Sequence, residues 1–128
     1  MREIKHKGKR DDNGEWVYGT LVYPNLIRNH AYGTLLETTN MSTEGRFACS
    51  VFRVDPATVG QYTGLKDENG VEIYEGDKVL DCEGEIFTVG FDDGAFTADY
   101  PYGDKWDYLI DAIMNAEVTG NIHDKEVQ

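Results

Sequence analysis

Three histidines and two cysteines are the residues best suited to metal binding or nucleophilic chemistry. They are His6, His30, His123, Cys49 and Cys82. A zinc site needs four converging ligands, and its ligand pairs normally lie a few residues apart. No pair among these five has such a spacing. Cys82 stands between Asp81 and Glu83, and such an acidic setting disfavours the nucleophilic thiolate.

The segment Asp67-x-Asn69-Gly70 resembles the middle of a calcium-binding loop, whose carboxylate and amide oxygens are hard ligands. Such a loop also needs an oxygen ligand at the position of Leu65 and a glutamate at the position of Gly76. Neither is present, so we interpret the segment as a hairpin turn.

Carboxylates and glycines elsewhere also lack a catalytic pattern. The pair Asp92-Asp93 is more typical of a solvated turn than of an acid/base pair. The 14 glycines are spread along the turns, and none forms a loop that binds phosphate at the start of a helix. The sequence therefore predicts a protein that is not an enzyme and has no metal or cofactor.

The charge of the chain is divided unevenly along its length. The net charge is −12; residues 1–54 hold 8 Lys and Arg against 6 Asp and Glu, whereas residues 55–128 hold 4 against 18. A strongly acidic body repels nucleic acid and attracts basic partners. The hydrophobic fraction of 40% is sufficient for a packed interior, so wholesale disorder is not expected.

Five basic residues form a strip at the start of the chain: Arg2, Lys5, Lys7, Lys9 and Arg10. Their alternation around Ile4 predicts an edge strand, on which Lys and Arg commonly prevent unwanted pairing. The alternative is that this basic strip is an interaction site, either for the acidic surface of a second copy or for nucleic acid.

The stretch Val59–Val79, VGQYTGLKDENGVEIYEGDKV, predicts a series of short strands and turns. Its β-branched and aromatic residues favour strands, and Gly64 is expected to end the first of them. Asn69-Gly70 predicts a type I′ hairpin turn, because both residues tolerate positive φ. Glu75-Gly76-Asp77 predicts a second turn. Short strands that bend at glycines are typical of small SH3-like barrels.

The same stretch resembles the signature of the YopX-like proteins of bacteriophages and prophages. The basic opening agrees, although His6 stands where an aromatic residue is more usual. The ending Glu117–His123 also agrees, with departures at Thr119 and His123. The resemblance covers almost the whole chain. It implies an SH3-like barrel in the C-terminal part, a smaller β region before it and a phage or prophage origin; the family has no established activity, so no catalytic residues carry over.

Other segments complete the expected order of elements. Strands are predicted from Trp16 to Pro24 and over Phe47–Val54, and a hairpin over Phe91–Phe96. The segment Asn25–Gly45 is predicted to be irregular around a short strand at Leu35-Leu36.

One helix is predicted, over Asp104–Asn115. Trp106, Leu109, Ile110 and Ile113 follow the i, i+3, i+4, i+7 spacing of a single apolar face, and Asp104 is a candidate N-cap.

Cys49 and Cys82 are predicted to be reduced core residues, because there is no signal sequence and two cysteines are too few for a disulfide scaffold. No apolar run is long enough to span a membrane. These features predict a location in the cytoplasm of a bacterial host.

These observations predict a mainly β fold, with an N-terminal β region at residues 1–57 and an SH3-like barrel region at residues 58–128 that share one core. The predicted function is that of a non-enzymatic phage accessory protein that acts through protein contacts and self-associates. A host or phage protein is the other expected partner. Nucleic-acid binding through the basic strip, and acidic mimicry of nucleic acid, are the alternatives.

Overall fold

The computed structural model describes residues 5–23, 34–41 and 47–124. The chain divides into two compact units, residues 1–61 and residues 62–128; the boundary expected from the sequence lies a few residues earlier. The described residues form eleven strands in two antiparallel sheets and one short α-helix. The predicted mainly β class is confirmed.

The first unit contains four strands and the start of a fifth. They are β1 (His6–Lys9), β2 (Trp16–Tyr23), β3 (Thr34–Met41), β4 (Phe47–Val54) and the first two residues of β5 (Gly60–Lys66). β2 pairs with β1 and β3, and β3 pairs with β4. A 3-10 turn, Pro56–Thr58, follows β4 and is capped by the side chain of Asp55, which confirms the predicted stop.

β1 is an interior strand, so the prediction of an edge strand is wrong. One side of β1 pairs with β2. On the other side, His6 and Lys7 pair with the first residues of β5. The N–H of Lys9 donates to Thr58 Oγ1 at 2.8 Å, and its carbonyl accepts from the N–H of Asp55 at 2.9 Å. The 3-10 turn thereby covers the edge that local sequence left open.

β3 is longer than predicted, whereas β4 has the predicted bounds. All eight residues of β3 pair with β4, from Thr34 opposite Val54 to Met41 opposite Phe47. The strand predicted at Leu35-Leu36 is confirmed, but the irregular structure predicted around it is wrong at Thr34 and at residues 37–41. The rest of the segment Asn25–Gly45 lies outside the described residues. The polar composition of β3 does not favour a strand. Pairing with the whole of β4 supplies the backbone hydrogen bonds that hold β3 as a strand.

The second unit contains the remainder of β5 and six further strands. They are β6 (Glu72–Tyr74), β7 (Asp77–Leu80), β8 (Ile86–Asp92), β9 (Ala95–Asp99), β10 (Trp106–Tyr108) and β11 (Glu117–Asn121), with helix α1 (Leu109–Ala112) before β11. The sheet order is β10-β9-β8-β7-β11. Between the described residues no ladder joins β10 to β11, so these five strands form no closed ring of hydrogen bonds.

The turn between β5 and β6 is a hairpin, but not the predicted type I′ turn. The N–H of Gly70 donates to the carbonyl of Asp67 at 3.1 Å. Of residues 67–70, Gly70 alone has positive φ, at 79°, as in a three-residue loop that ends in a left-handed glycine. Asp67 Oδ1 favours this form, because it accepts from the N–H groups of Asn69 and Val71 at 2.9 Å each. β5 itself continues through Gly64 with a register shift, although Gly64 was expected to end it.

Asp93-Gly94 forms the turn with two positive φ angles, 50° and 80°. It joins β8 to β9, whose end residues Asp92 and Ala95 are paired. The hairpin predicted over Phe91–Phe96 is confirmed.

The predicted helix over Asp104–Asn115 is wrong outside Leu109–Ala112. β10 pairs with β9 in the first half of that segment, and only Leu109–Ala112 are helical. Asp104 lies too far upstream to cap α1. Trp106 is 56% exposed and Ile110 68% exposed, so the apolar spacing does not describe a single buried face. The ladder with β9 outweighs a weak local preference for helix.

The core of the second unit consists of seven buried apolar residues: Ile73, Val79, Phe87, Val89, Ala98, Leu109 and Ala116. Burial of each large side chain contributes about 1.5–3 kcal/mol. Phe87 and Val89 alternate along β8 toward this core, so Thr88 and Gly90 face the opposite side of the sheet.

Candidate functional site

The side of the second sheet that faces away from the core carries a groove across β8, β9 and β10. Trp106 of β10 is opposite Asp99 of β9, and Tyr108 is opposite Thr97. Thr97 is in turn opposite Gly90 of β8. Directly opposed residues share one face of a sheet, with Cβ atoms about 4.5–5.5 Å apart. The ladders therefore bring these five residues to one surface.

Two aromatic rings form one wall of the groove. Trp106 and Tyr108 are two residues apart on β10, and their ring centroids are 5.3 Å apart with an interplanar angle of 89°. Their exposed fractions are 56% and 50%. Tryptophan and tyrosine are enriched among the residues that contribute most to binding at protein interfaces.

The floor of the groove is formed by small side chains and one oriented carboxylate. The hydroxyl of Thr97 donates to Asp99 Oδ1 at 3.0 Å. Asp99 Oδ2 occupies the space that a side chain at Gly90 would need, since a Cβ there would lie only 2.3 Å from it. The absence of a side chain at Gly90 thus permits the carboxylate to lie across β8.

The groove has a volume of about 460 Å³, and its lining carries four carboxylates and a single cation. The charged residues are Asp92, Asp93, Asp99, Asp104 and Lys105. Within the described parts of the chain, none of the four carboxylates takes part in an ion pair. The lining is therefore strongly anionic beside its aromatic wall.

Lys105 does not neutralise the groove, because its ammonium group is held elsewhere. Lys105 Nζ donates to Glu85 Oε2 and to the hydroxyl of Tyr102, each at 3.1 Å. It also lies 4.3 Å from the ring centroid of Tyr100. The bonds with Tyr102 and Glu85 raise the pKa of Lys105, and bonds from Tyr102 and Lys105 lower the pKa of Glu85.

A second anchor holds the loop after β9. The hydroxyl of Tyr100 donates to Asp81 Oδ2 at 2.7 Å, and burial together with this bond raises the pKa of Tyr100. Burial opposes the charge of Asp81, but the bonds from Tyr100 and from the N–H groups of Glu85 and Glu83 hold the pKa of Asp81 below its ordinary value. These contacts position the loop that leads into β10 and its aromatic wall.

The described part of the basic strip lies in the first unit with its charges engaged. Lys7 and Lys9 stand on the same side of β1, 4.7 and 5.4 Å from the ring centroid of Trp16. Arg10 forms an ion pair with Asp12 at 2.6 Å. Such cation–π contacts reduce the freedom of the lysines to reach another molecule.

The other residues of the basic strip add no further evidence of a binding site. Lys5 is half-buried, and Arg2 lies outside the described residues. A second cavity of about 460 Å³ adjoins Arg10, but its lining carries both signs of charge, including the ion pair of Arg53 with Asp11 at 2.9 Å. The role of the basic strip as an interaction site stays a prediction.

The aspartate of the calcium-like segment serves the backbone. In addition to its two bonds within the turn, Asp67 Oδ2 accepts from the N–H of Val118 at 2.8 Å. The N–H of Glu68 donates to the carbonyl of Ala116 at 3.0 Å. The segment is a hairpin turn, as predicted. Its hydrogen bonds to Ala116 and Val118 also hold the start of β11.

The histidines and cysteines have no common site in the described residues. His6 lies in β1 and His123 follows β11, whereas His30 and the side chain of Cys49 lie outside the described part. Cys82 is exposed, so its predicted core position is wrong: the turn that Asp81 caps presents it to solvent. No three His, Cys, Asp or Glu side chains in the described ranges are placed to hold a metal ion together.

Reasoning from the sequence missed Trp106 and Tyr108 as groove residues, because it placed this segment on a helix. The prediction that Asp92-Asp93 is a turn holds for Asp93, whereas Asp92 is the last residue of β8. The sequence pattern connects neither residue with Asp99 or Asp104. One signal was available: the aromatic-polar-aromatic alternation of Trp106, Asp107 and Tyr108 has the period of a strand.

No helix in the described ranges has the length and apolar character needed to cross a membrane. A family profile described as YopX protein matches residues 5–126, nearly the whole chain, and confirms the resemblance seen in the motifs. No curated protein matches the chain.

Proposed function

We propose that this chain, which belongs to the YopX family, acts by binding proteins rather than by catalysis, and that a cationic segment of a partner docks in the groove of its second unit. One observation carries the proposal. An exposed aromatic wall stands beside four carboxylates, none of which forms an ion pair among the described residues.

The charge of the groove selects the class of partner. Clustered carboxylates make the local electrostatic potential more negative, which steers cationic molecules inward and repels phosphate groups. The aromatic wall supplies affinity on contact, because burial of Trp106 and Tyr108 removes large apolar surfaces from water. Opposite charge alone contributes little at an exposed surface, so the two features act together.

The arrangement of the second unit supports an SH3-like module as the carrier of this groove. Its strand order places a four-strand meander, β7 to β10, before a helical turn and a fifth strand that pairs with the first. SH3-like barrels have this connectivity. Such modules bind many unrelated ligands, so the fold does not identify the ligand. The proposed function therefore rests on the groove alone.

The family resemblance supports an accessory role in a phage or prophage. Self-association is a special case of the proposed protein binding, in which the partner is a second copy of the chain. A second copy offers the basic strip as a cationic segment. The engaged state of Lys7, Lys9 and Arg10 makes a different protein the stronger candidate. The same engagement weakens the nucleic-acid alternative, and the anionic groove opposes it as well.

The experiment is a calorimetric titration of the full chain with a flexible peptide in which Arg and Lys residues are separated by Gly-Ser pairs. Its counterpart replaces every basic residue by Glu. We expect the cationic peptide alone to bind, with affinity that falls as salt is raised. Trp106→Ala and Asp99→Asn should each weaken binding by about tenfold.

Asp111→Asn is the matched control, because it makes the same charge change on α1, where Asp111 is exposed. Affinity should be unchanged in this variant. Failure of the cationic peptide to bind, or equal losses in Asp99→Asn and Asp111→Asn, would show that the groove is not the docking site.

A further inference from the structure

We infer that the group recognised in the groove is an arginine guanidinium, which stacks on Trp106 and pairs with Asp99. This inference rests on the proposed function and narrows it from positive charge in general to one side chain. Three features of the groove lead to it.

The first feature is the geometry of the aromatic wall. Trp106 and Tyr108 meet at 89° with their centroids 5.3 Å apart, so the two rings form an open corner. A planar, delocalised cation can lie flat against one ring while its edge meets the other. Tryptophan is the best aromatic partner for a cation, and arginine occurs over it more often than lysine does.

The second feature is a carboxylate on β9, the strand next to that corner. Asp99 is directly opposite Trp106 in the ladder, which puts their Cβ atoms about 4.5–5.5 Å apart. The hydroxyl of Thr97 orients the carboxylate by its bond to Oδ1, and each carboxylate oxygen can accept more than one hydrogen bond. Both oxygens of Asp99 therefore remain able to accept the two parallel N–H groups of a guanidinium.

The third feature is that the groove is broad and open to water. A lysine ammonium is compact and strongly hydrated, and it would keep its water in such a site. A guanidinium is more weakly hydrated than an ammonium, so it loses less hydration free energy when it stacks on an aromatic ring. The surrounding carboxylates of Asp92, Asp93 and Asp104 favour either cation equally, so the preference for arginine arises from Trp106 and Asp99.

Gly90 is the positioning residue for this recognition. A methyl group at this position would meet Asp99 Oδ2 at 2.3 Å and Thr97 Oγ1 at 3.0 Å, and the flexible carboxylate would have to move. Gly90→Ala thus moves the Asp99 carboxylate from its place over β8 without changing any charge. Gly90 has no left-handed φ, so alanine is compatible with its backbone.

The test is a nuclear magnetic resonance titration of the full chain with three capped pentapeptides, Gly-Ser-X-Ser-Gly, in which X is arginine, lysine or citrulline. Citrulline has nearly the shape of arginine but no charge. We expect the arginine peptide to shift the indole N–H signal of Trp106 and to bind about threefold more tightly than the lysine peptide. The citrulline peptide should bind about tenfold more weakly than the arginine peptide.

Two variants test the assigned roles. Gly90→Ala should lower affinity for the arginine peptide and bring the arginine-to-lysine ratio close to one, while amide spectra report an intact fold. Asp111→Asn should leave the ratio unchanged. A Gly90→Ala protein that keeps the full preference for arginine would overturn the role given to the placement of Asp99.

The outcomes separate this inference from the proposed function. Equal binding of arginine and lysine peptides, with both weakened by Asp99→Asn, would overturn the arginine assignment and leave a general cation-binding groove. Absence of any shift at Trp106, Thr97 or Asp99 with every peptide would overturn both.

Discussion

The carboxylate of Asp77 and the amide of Asn121 are joined by a buried hydrogen bond of 2.9 Å. Asp77 is 1% exposed, and its second oxygen accepts from the N–H of Tyr74 at 2.7 Å. The bond ties the Glu75-Gly76-Asp77 turn to the end of β11. Both segments carry the family resemblance, so these motif residues act in the fold and lie outside the groove.

Replacement of Asp77 by alanine is expected to lower the free energy of unfolding by about 1–3 kcal/mol, because the buried amide of Asn121 and the N–H of Tyr74 would lose their acceptor. Urea denaturation measures the change. Asp111→Ala is the control and should alter stability by less than about 0.5 kcal/mol.

A double-mutant cycle with Asp77→Ala and Asn121→Ala should give a coupling energy of about 0.5–3 kcal/mol. The two side chains share one bond, so loss of either removes most of what the other contributes to it. Strict additivity of the two substitutions would contradict a direct partnership of Asp77 and Asn121.

Acid should weaken the anchor of the loop before β10. The folded state lowers the pKa of Asp81 from 3.8, so this carboxylate contributes stability above its unfolded pKa. That stability is lost as the pH falls through the lower, folded pKa. In Tyr100→Phe the bond is absent, so the melting temperatures of variant and parent should differ at pH 7 and converge as the pH falls through the folded pKa of Asp81.

The same measurement with Tyr108→Phe provides the control, since none of the hydrogen bonds observed among the described residues involves its hydroxyl. Its melting curve should follow that of the parent at each pH. A constant difference between Tyr100→Phe and the parent from neutral to acid pH would show that ionised Asp81 is not the partner that matters.

Affinity for duplex DNA is expected to be weak, because the net charge of −12 opposes the phosphate contacts that dominate such binding. Fluorescence anisotropy with a random duplex at physiological salt should give no saturation below about 100 µM protein. Micromolar binding that disappears in the double variant Lys5→Glu/Lys9→Glu would instead support the nucleic-acid alternative. Lys7 is left unchanged because it is buried.

Self-association should depend on the charge of the basic strip. Deletion of residues 2–10 would remove the interior strand β1, so substitution is the appropriate change. We expect light scattering at about 50 µM to detect an oligomer that salt and the triple variant Arg2→Gln/Lys5→Gln/Lys9→Gln both weaken. Lys78→Gln, at an exposed position outside the strip, is the control for loss of charge.

A protein that remains strictly monomeric at that concentration would end the self-association proposal. An oligomer indifferent to the triple variant would place the interface elsewhere on the chain.

Features that depend on one or two neighbouring residues could be predicted from the sequence. Phe47–Val54 is a strand that ends at Asp55-Pro56, because proline and its predecessor restrict φ and ψ locally. The hairpin at Asp93-Gly94 follows from residues that tolerate positive φ. The mainly β class and the YopX family could be read from many such signals together.

Features that depend on which strands become neighbours were decided by the tertiary structure. The apolar spacing at Trp106 fits a helix as well as it fits a strand, and the ladder with β9 selects the strand. That same ladder places Trp106 opposite Asp99, seven residues away in the chain. The basic strip has the composition of an edge strand, yet the first residues of β5 and the 3-10 turn cover it.

The sequence by itself therefore determined the positions of the hairpin turns, the mainly β class and the family, because local backbone preferences act within a few residues. Only the tertiary structure decided where the groove lies. Its wall, floor and carboxylates come from β8, β9, β10 and their loops, and they share a surface because antiparallel pairing puts opposed residues on one face.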